Sequence, residues 1–188
     1  MVYPTVFPPF FTISTKILLD FIEPIDLNSK TFLELGCGCG IISILAAKKG
    51  AIVTSTDINE VALKALKLNA EKNKVTVEIL FSDLFDEMPE RNFDYIIINP
   101  PYYPQSPSSI AEKAWFCGSN FEYFSKLFNH LNKILNNNNV VFMILSENCK
   151  TMEIKKIAAI NGLKLYLKYN VTVAGEENFI FNISKKHT

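Results

Sequence analysis

The stretch Phe32-Leu33-Glu34-Leu35-Gly36-Cys37-Gly38-Cys39-Gly40, running on into Ile41 to Lys49, constrains the fold of this chain more than any other. A short apolar strand meets three alternate glycines and then an apolar, helix-compatible segment. Glycines there let the backbone turn sharply and approach a ligand closely. The start of the following helix offers N–H groups with no partner inside the helix. A dinucleotide fingerprint, G-x-G-x-x-G, needs its third glycine at position 41, where Ile41 stands. The departure argues against NAD. The loop also lacks the Lys-Ser/Thr ending of a Walker-type phosphate loop.

The rest of the chain repeats the same alternation. Helices are expected over Thr15–Glu23, with Ile17, Leu18, Phe21 and Ile22 on one face, and over Ile41–Lys49, Glu60–Lys72, Phe121–Leu135 and Met152–Asn161. Strands are expected over Thr31–Leu35, Ala51–Asp57, Val75–Phe81, Phe93–Asn99, Val140–Leu145, Leu163–Val171 and Asn178–Ile183. The early strands are nearly continuous apolar runs, as when helices cover both faces of a sheet. An α/β, doubly wound, mostly parallel sheet is the fold class that follows. At 188 residues, with no repeat or linker, the chain fits one domain.

Two acids and one loop carry the chemistry. Asp57 ends the second strand, where a carboxylate can accept from both ribose hydroxyls of a nucleoside; it could instead cap the helix beginning near Asn59. Asp83 ends the third strand, placed to accept from an adenine amino group or simply to terminate the strand. After Phe93-Asp94-Tyr95-Ile96-Ile97-Ile98 comes Asn99-Pro100-Pro101-Tyr102. The prolines fix φ and supply no N–H, so the strand stops there and the loop has little freedom. The Asn99 side-chain oxygen and the Pro100 carbonyl become converging acceptors suited to an NH2 group, and Tyr102 adds a flat stacking surface. Turn chemistry alone also favours Asn and Pro.

Charge and cysteine usage narrow the classes. Nineteen basic residues balance nineteen acidic ones, so no global field draws in nucleic acid. Lys64, Lys67, Lys72 and Lys74 are interleaved with Glu60 and Glu71, the pattern of a solvated helix face. Four cysteines in a chain this long do not form a secreted disulfide framework. Neither their spacing nor the two histidines suggests a zinc site, so no metal is expected. His130 reads as a surface helix residue and His187 as a tail residue. No apolar run is long enough for a bilayer and no basic signal start is present, so a cytoplasmic location is expected.

Together, Glu34-Leu35-Gly36-Cys37-Gly38-Cys39-Gly40, Asp57, Ser82-Asp83 and Asn99-Pro100-Pro101-Tyr102 resemble a class I S-adenosylmethionine-dependent methyltransferase. The likeness is nearest to HemK-like glutamine methyltransferases, in their short form. Val6-Phe7-Pro8-Pro9, Ala114-Trp115-Phe116-Cys117-Gly118 and Ala174-Gly175-Glu176-Glu177-Asn178 resemble their N-terminal motif, the segment after the catalytic loop and the C-terminal hairpin. The resemblance implies a Rossmann-like sheet of seven strands with the last antiparallel. It divides the single domain into an N-terminal substrate or lid segment, 1–28, and a catalytic core, 29–188. It implies cofactor contacts from Glu34, Gly36, Cys37, Gly38, Gly40, Asp57, Ile58, Asp83, Leu84 and Asn99, and catalytic roles for Asn99, Pro100, Pro101 and Tyr102. The cofactor is then S-adenosylmethionine. The acceptor is a planar NH2, either a protein glutamine amide, as in release factors, or an exocyclic amine of rRNA, tRNA or DNA; a non-catalytic cofactor-binding module is the third class. A partner protein over the apolar N-terminus also fits. Two stretches depart from the pattern. Phe10-Phe11-Thr12-Ile13-Ser14-Thr15 lacks the usual acid before the first helix, and the loop Tyr103 to Ser109, where the acceptor is chosen, has its own composition.

Overall fold

A computed structural model describes residues 13–136 and 138–186. The expected N-terminal motif Val6–Pro9 and His187 lie outside the described residues. The strands form one seven-stranded sheet, and the chain divides into two compact units, up to Ile98 and from Asn99 on.

The first unit holds α1 (Ile13–Ile22), β1 (Thr31–Leu35), α2 (Ile41–Lys48), β2 (Ile52–Asp57), α3 (Glu60–Asn73), β3 (Glu78–Phe81) and β4 (Tyr95–Ile98). β1 lies between β2 and β4, and β2 pairs with β3, all in parallel. Phe32, Leu33 and Leu35 of β1 and Ile96, Ile97 and Ile98 of β4 are buried, as are Ile17, Leu18 and Ile22 of α1. Burial of each such side chain is worth about 1.5–3 kcal/mol relative to exposure. Helices α1 and α3 both pack against α2. The lysines of α3 are exposed, and Lys64 pairs with Glu60 at 3.7 Å across one helical turn.

β3 begins at Glu78, later than the expected Val75. Lys74, in a left-handed conformation with φ 57°, ends α3, and the Val75 N–H bonds back to the Ala70 carbonyl at 3.1 Å. Val75 is therefore a helix-exit residue despite its strand preference.

The second unit holds a 3-10 turn (Glu112–Ala114), α4 (Glu122–Ile134), β5 (Val140–Ser146), α5 (Thr151–Ile160), β6 (Leu163–Val173) and β7 (Glu176–Lys185). Phe124, Leu127, Phe128 and Leu131 form the buried stripe of α4, at the spacing one helical face requires. The Phe124 and Phe128 rings lie 5.9 Å apart. His130, on the same helix, is half-buried, because it neighbours that stripe, and not a fully exposed surface residue. β7 is antiparallel to both β5 and β6, as expected. The β6–β7 hairpin is longer than its apolar pattern suggested, and turns on Ala174 and Gly175 at φ 51° and 86°. The order across the sheet is β3-β2-β1-β4-β5-β7-β6. No helix among the described residues is long and apolar enough to cross a membrane.

Candidate functional site

The glycine loop of the first unit is fixed from several sides. The Cys37 N–H donates to the Thr56 carbonyl of β2 at 2.9 Å, and the Gly38 N–H to Asp57 Oδ2 at 2.8 Å. The Gly40 N–H closes back on the Cys37 carbonyl at 2.8 Å, and buried Asn69 of α3 donates to the Cys39 carbonyl at 3.0 Å. Gly40 has φ 78°, and a Cβ there would meet Leu66 Cδ1 at 2.0 Å, so only glycine brings α2 this close to α3. Gly36 is the opposite case. It is exposed, with φ 68° and nothing within 4 Å of where a Cβ would stand. The loop has a sealed base and an open rim.

Glu34 and Asp57 are the two carboxylates of this loop. Glu34 points inward, only 5% exposed, and accepts from both the backbone N–H and the hydroxyl of Ser43 in α2, the N–H bond at 2.8 Å. Burial pushes its carboxyl up to about 8 against the opposing pull of those bonds. Asp57 is half-buried and accepts from Gly38 through Oδ2 and from the Asn59 N–H through Oδ1 at 2.8 Å. Burial raises its carboxyl too, offset by the Asn59 and Gly38 N–H groups. The cap of α3 is Asn59, whose side chain accepts from the Val61 N–H at 3.0 Å. Asp57 is thus tied to the glycine loop, and a second residue does the capping. Burial lifts the Cys37 thiol well above its ordinary range, with Asp57 and Glu34 adding to the effect, so it stays protonated. Ile58 is half-buried beside Asp57.

The third strand delivers its acid to the same end. Asp57 and Phe81 are register partners, and the Ser82 N–H donates to the Asp57 carbonyl at 3.2 Å. The Ser82 hydroxyl donates to the Leu84 carbonyl at 2.9 Å, around a left-handed Leu84 with φ 60°. Asp83, half-buried, donates its N–H to Glu87 at 2.8 Å, and Leu84 is buried. Sequence reasoning missed Ser43, Ser55 and Asn69. Their signal was polar residues inside otherwise apolar segments, which need partners once buried.

β1 and β4 are parallel with Leu35 opposite Ile98, so the strands leading into Gly36 and into Asn99 end side by side. In the second unit, Asn99, Pro101 and Tyr102 are half-buried and Pro100 is buried. The Tyr102 ring rests on Tyr103, centroids 4.7 Å apart at 52°. Burial raises the Tyr102 phenol far above its usual range, helped by Tyr103, so it stays neutral. The Asn148 amide, just after β5, donates to Glu176 Oε1 at the start of β7 at 2.9 Å.

The loop after Tyr102 folds back on itself. The Tyr103 N–H donates to the Trp115 carbonyl at 3.0 Å, and the Cys117 N–H returns to the Tyr103 carbonyl at 2.9 Å. Gly118 donates to the Gln105 carbonyl at 3.1 Å, and Ser106 and Ser119 share a hydroxyl contact of 2.8 Å. Tyr103, Ile110 and Trp115 stay exposed on this loop.

A family model described as methyltransferase small domain matches residues 10–120, more than half of the chain. The chain belongs to that family. The match takes in the glycine loop, Asp57, Ser82-Asp83 and Asn99-Pro100-Pro101-Tyr102. Within the family, it is 46% identical over 83 residues to a Methanocaldococcus jannaschii protein assigned as a protein N5-glutamine methyltransferase, covering 44% of this chain and 42% of that one. It is 38% identical over 91 residues to the ribosomal RNA small subunit methyltransferase C of Haemophilus influenzae, covering 47% of this chain and 27% of that one. The likeness thus spans less than half the length of these relatives. In fold, it superposes on a chain of the E. cuniculi Mtq2–Trm112 complex, which is responsible for methylation of the eRF1 translation termination factor. The TM-score is 0.71 at 20% identity, over 97% of this chain and 99% of that one.

Proposed function

We propose that this member of the methyltransferase small domain family is an S-adenosylmethionine-dependent N-methyltransferase acting on a planar NH2 group, with a protein glutamine amide as acceptor. The observation that carries the proposal is the direct run of β4 into Asn99-Pro100-Pro101-Tyr102, with Pro100 buried and Tyr102 packed on Tyr103. Both units then belong to one methyltransferase domain, with 1–28 as its substrate or lid segment.

The loop residues fit the cofactor. Open space over Gly36 admits a ligand against the backbone. Asp57 accepts from the Gly38 N–H through Oδ2 and from the Asn59 N–H through Oδ1, and a carboxylate has about four acceptor sites, so capacity for a ribose hydroxyl remains. Asp83, Ile58 and Leu84 would line the adenine end. Glu34, Cys37, Gly38 and Gly40 would shape the loop from below. When bound, S-adenosylmethionine supplies an electrophilic methyl group on a sulfonium.

The remaining work falls to Asn99, Pro100, Pro101 and Tyr102. An amide nitrogen is a weak nucleophile because its lone pair is delocalised. Acceptance of its two N–H groups by the Asn99 oxygen and the Pro100 carbonyl orients the nitrogen and favours its rehybridisation. Positioning of this kind lowers the barrier without a strong base. The same acceptors stabilise the positive charge that develops on nitrogen. The two prolines hold the acceptors still, and the neutral Tyr102 ring offers the stacking face.

The likeness to an rRNA methyltransferase favours a second reading, an exocyclic amine of a nucleic-acid base. Every catalytic assignment stays and only the acceptor changes. Between Asn99 and Glu122, however, Lys113 is the one cation against Glu112 and Glu122, a poor match to a phosphate backbone. The Mtq2–Trm112 likeness supports including a partner protein over the apolar N-terminal segment. The proposed location is cytoplasmic. The test supplies methyl-labelled cofactor to fractionated protein and RNA and locates the label by mass spectrometry. Label on glutamine, with weak salt dependence, supports the protein acceptor. Label in RNA or DNA, with steep salt dependence, replaces it with the second reading.

A further inference from the structure

Helix α2 begins on a residue that cannot cap it. Gly40 is its N-cap, has no side chain to offer and is held to glycine by Leu66. Ser43 is the third residue of the helix, and its N–H has no acceptor within the helix. Glu34 supplies that acceptor from β1, at 2.8 Å. A strand carboxyl thus does what an N-cap side chain does in other helices, and once ionised its charge also suits the helix N-terminus.

This external cap has a second layer. The Ser43 hydroxyl bonds the same Glu34 oxygen, Oε2, and also contacts the Ser55 hydroxyl of β2 at 2.6 Å. Ser43 and Ser55 are 0% exposed. The three side chains therefore form a buried row across β1, α2 and β2. Hydroxyls both donate and accept. With Glu34 ionised, Ser55 donates to Ser43 and Ser43 to Glu34; with Glu34 protonated, the direction can reverse. Both bonds fall on Oε2, and they are strongest when Glu34 is ionised, because hydrogen bonds to a charged acceptor are the stronger ones.

We propose that Ser43 and Ser55 are positioning residues for the cofactor: acting through Glu34, their hydroxyls hold the first turn of α2 and the glycine loop in the geometry the cofactor meets. The role rests on the chain binding S-adenosylmethionine. It differs from a direct contact, because neither hydroxyl is accessible. The titratable groups that face Glu34 are Asp57 from β2 and the Cys37 and Cys39 thiols of the loop. The Asp57 carboxylate disfavours a charge on Glu34, the raised thiols stay neutral, and the N–H and hydroxyl of Ser43 favour the ionised state. Loss of the serine hydroxyls shifts Glu34 further toward its neutral form.

Calorimetric titration of the whole chain with S-adenosylmethionine between about pH 6 and pH 9 tests this. Wild-type affinity is expected to rise with pH as Glu34 ionises near its value of about 8. Ser43→Ala should weaken binding roughly 3–10-fold at neutral pH, where Glu34 is still largely protonated and the bond lost is an ordinary neutral one, and move the rise to higher pH. Ser55→Ala should do the same to a smaller degree, Ser55→Thr should restore it, and the double variant should fall short of the summed effects because the row acts as a unit. Glu34→Gln should remove the pH step. Thermal melting alongside shows that each variant is folded at the titration temperature. Serine variants that lose stability yet keep wild-type affinity and pH midpoint would overturn the positioning role. A wild-type chain that binds no S-adenosylmethionine would instead overturn the function itself, and this role with it.

Discussion

The glycine loop and the Asn-Pro-Pro-Tyr loop both follow a central strand, and they are held in opposite ways. Side chains from other elements hold the first. Glu34, Asp57 and Asn69 each take a backbone group of the loop or of the helix it opens. The second is held by proline geometry and by its own downstream backbone, through Tyr103, Trp115 and Cys117. A loop anchored by side chains on three elements, two of them buried, tolerates little change. A loop anchored to its own sequel can keep its ends and alter its exposed middle, here Pro104 to Ile110. Cofactor binding suits the first construction and acceptor choice the second.

The largest effect is expected where the first loop is sealed. Gly40→Ala drives a methyl group into Leu66 at a left-handed backbone position. The cost should be about 2–4 kcal/mol, from overpacking and backbone strain together, read as a lowered urea midpoint. Gly36→Ala meets open space, so it should cost only the strain of its φ, about 1–2 kcal/mol. Equal losses in the two variants would mean that the loop is not sealed at one end and open at the other.

A pH series sharpens the same contrast. Burial holds the Glu34 carboxyl near 8, against an ordinary value of 4.5. Stability from its bound proton is full below about 4.5 and is lost as pH rises to about 8. Urea unfolding over that window should show a decline on the order of a few kcal/mol, to which Asp57, also raised, adds. Glu34→Gln should flatten most of it. An unchanged slope in that variant would assign the decline to other groups.

Asp57→Ala removes the acceptor of the Gly38 N–H and the proposed ribose partner. S-adenosylmethionine affinity should fall by about 1–3 kcal/mol, and a calorimetric value at wild-type level would exclude Asp57 from the cofactor site. The smallest effect belongs to the second loop. Tyr102→Phe keeps the ring that rests on Tyr103 and should change acceptor KM by less than Tyr102→Ala does. A Phe variant as impaired as the Ala one would shift the role from the ring to the hydroxyl.

Much of the fold could be read from the chain. The limits of β1 match the expectation at both ends, and every other expected helix and strand is present, most within two residues of its expected bounds. Asp57 and Ser82-Asp83 arrive where their strands promised. Two kinds of feature were hidden. The first is direction: a strand buried on both faces has no alternation, so nothing in Phe32-Leu33-Glu34-Leu35 tells which way Glu34 points. Its hold on Ser43 is visible only in three dimensions. The second is local hydrogen bonding at element ends. Lys74 turned left-handed and took Val75 out of β3, and Asn59 took the capping role open to Asp57. A propensity scale sees neither, because each depends on which partner an orphan backbone group finds.

Asn99→Ala tests most directly the claim that the two loops do separate work. Binding of S-adenosylmethionine and transfer of its labelled methyl group are measured on the same variant. Affinity within about twofold of wild type, with turnover reduced a hundredfold or more, is the expected result for a side chain that positions the acceptor in the transition state. Methyl transfer at the wild-type rate would reduce the Asn-Pro-Pro-Tyr loop to a structural turn, and cofactor affinity lost in step with turnover would show that the two loops do not divide the work.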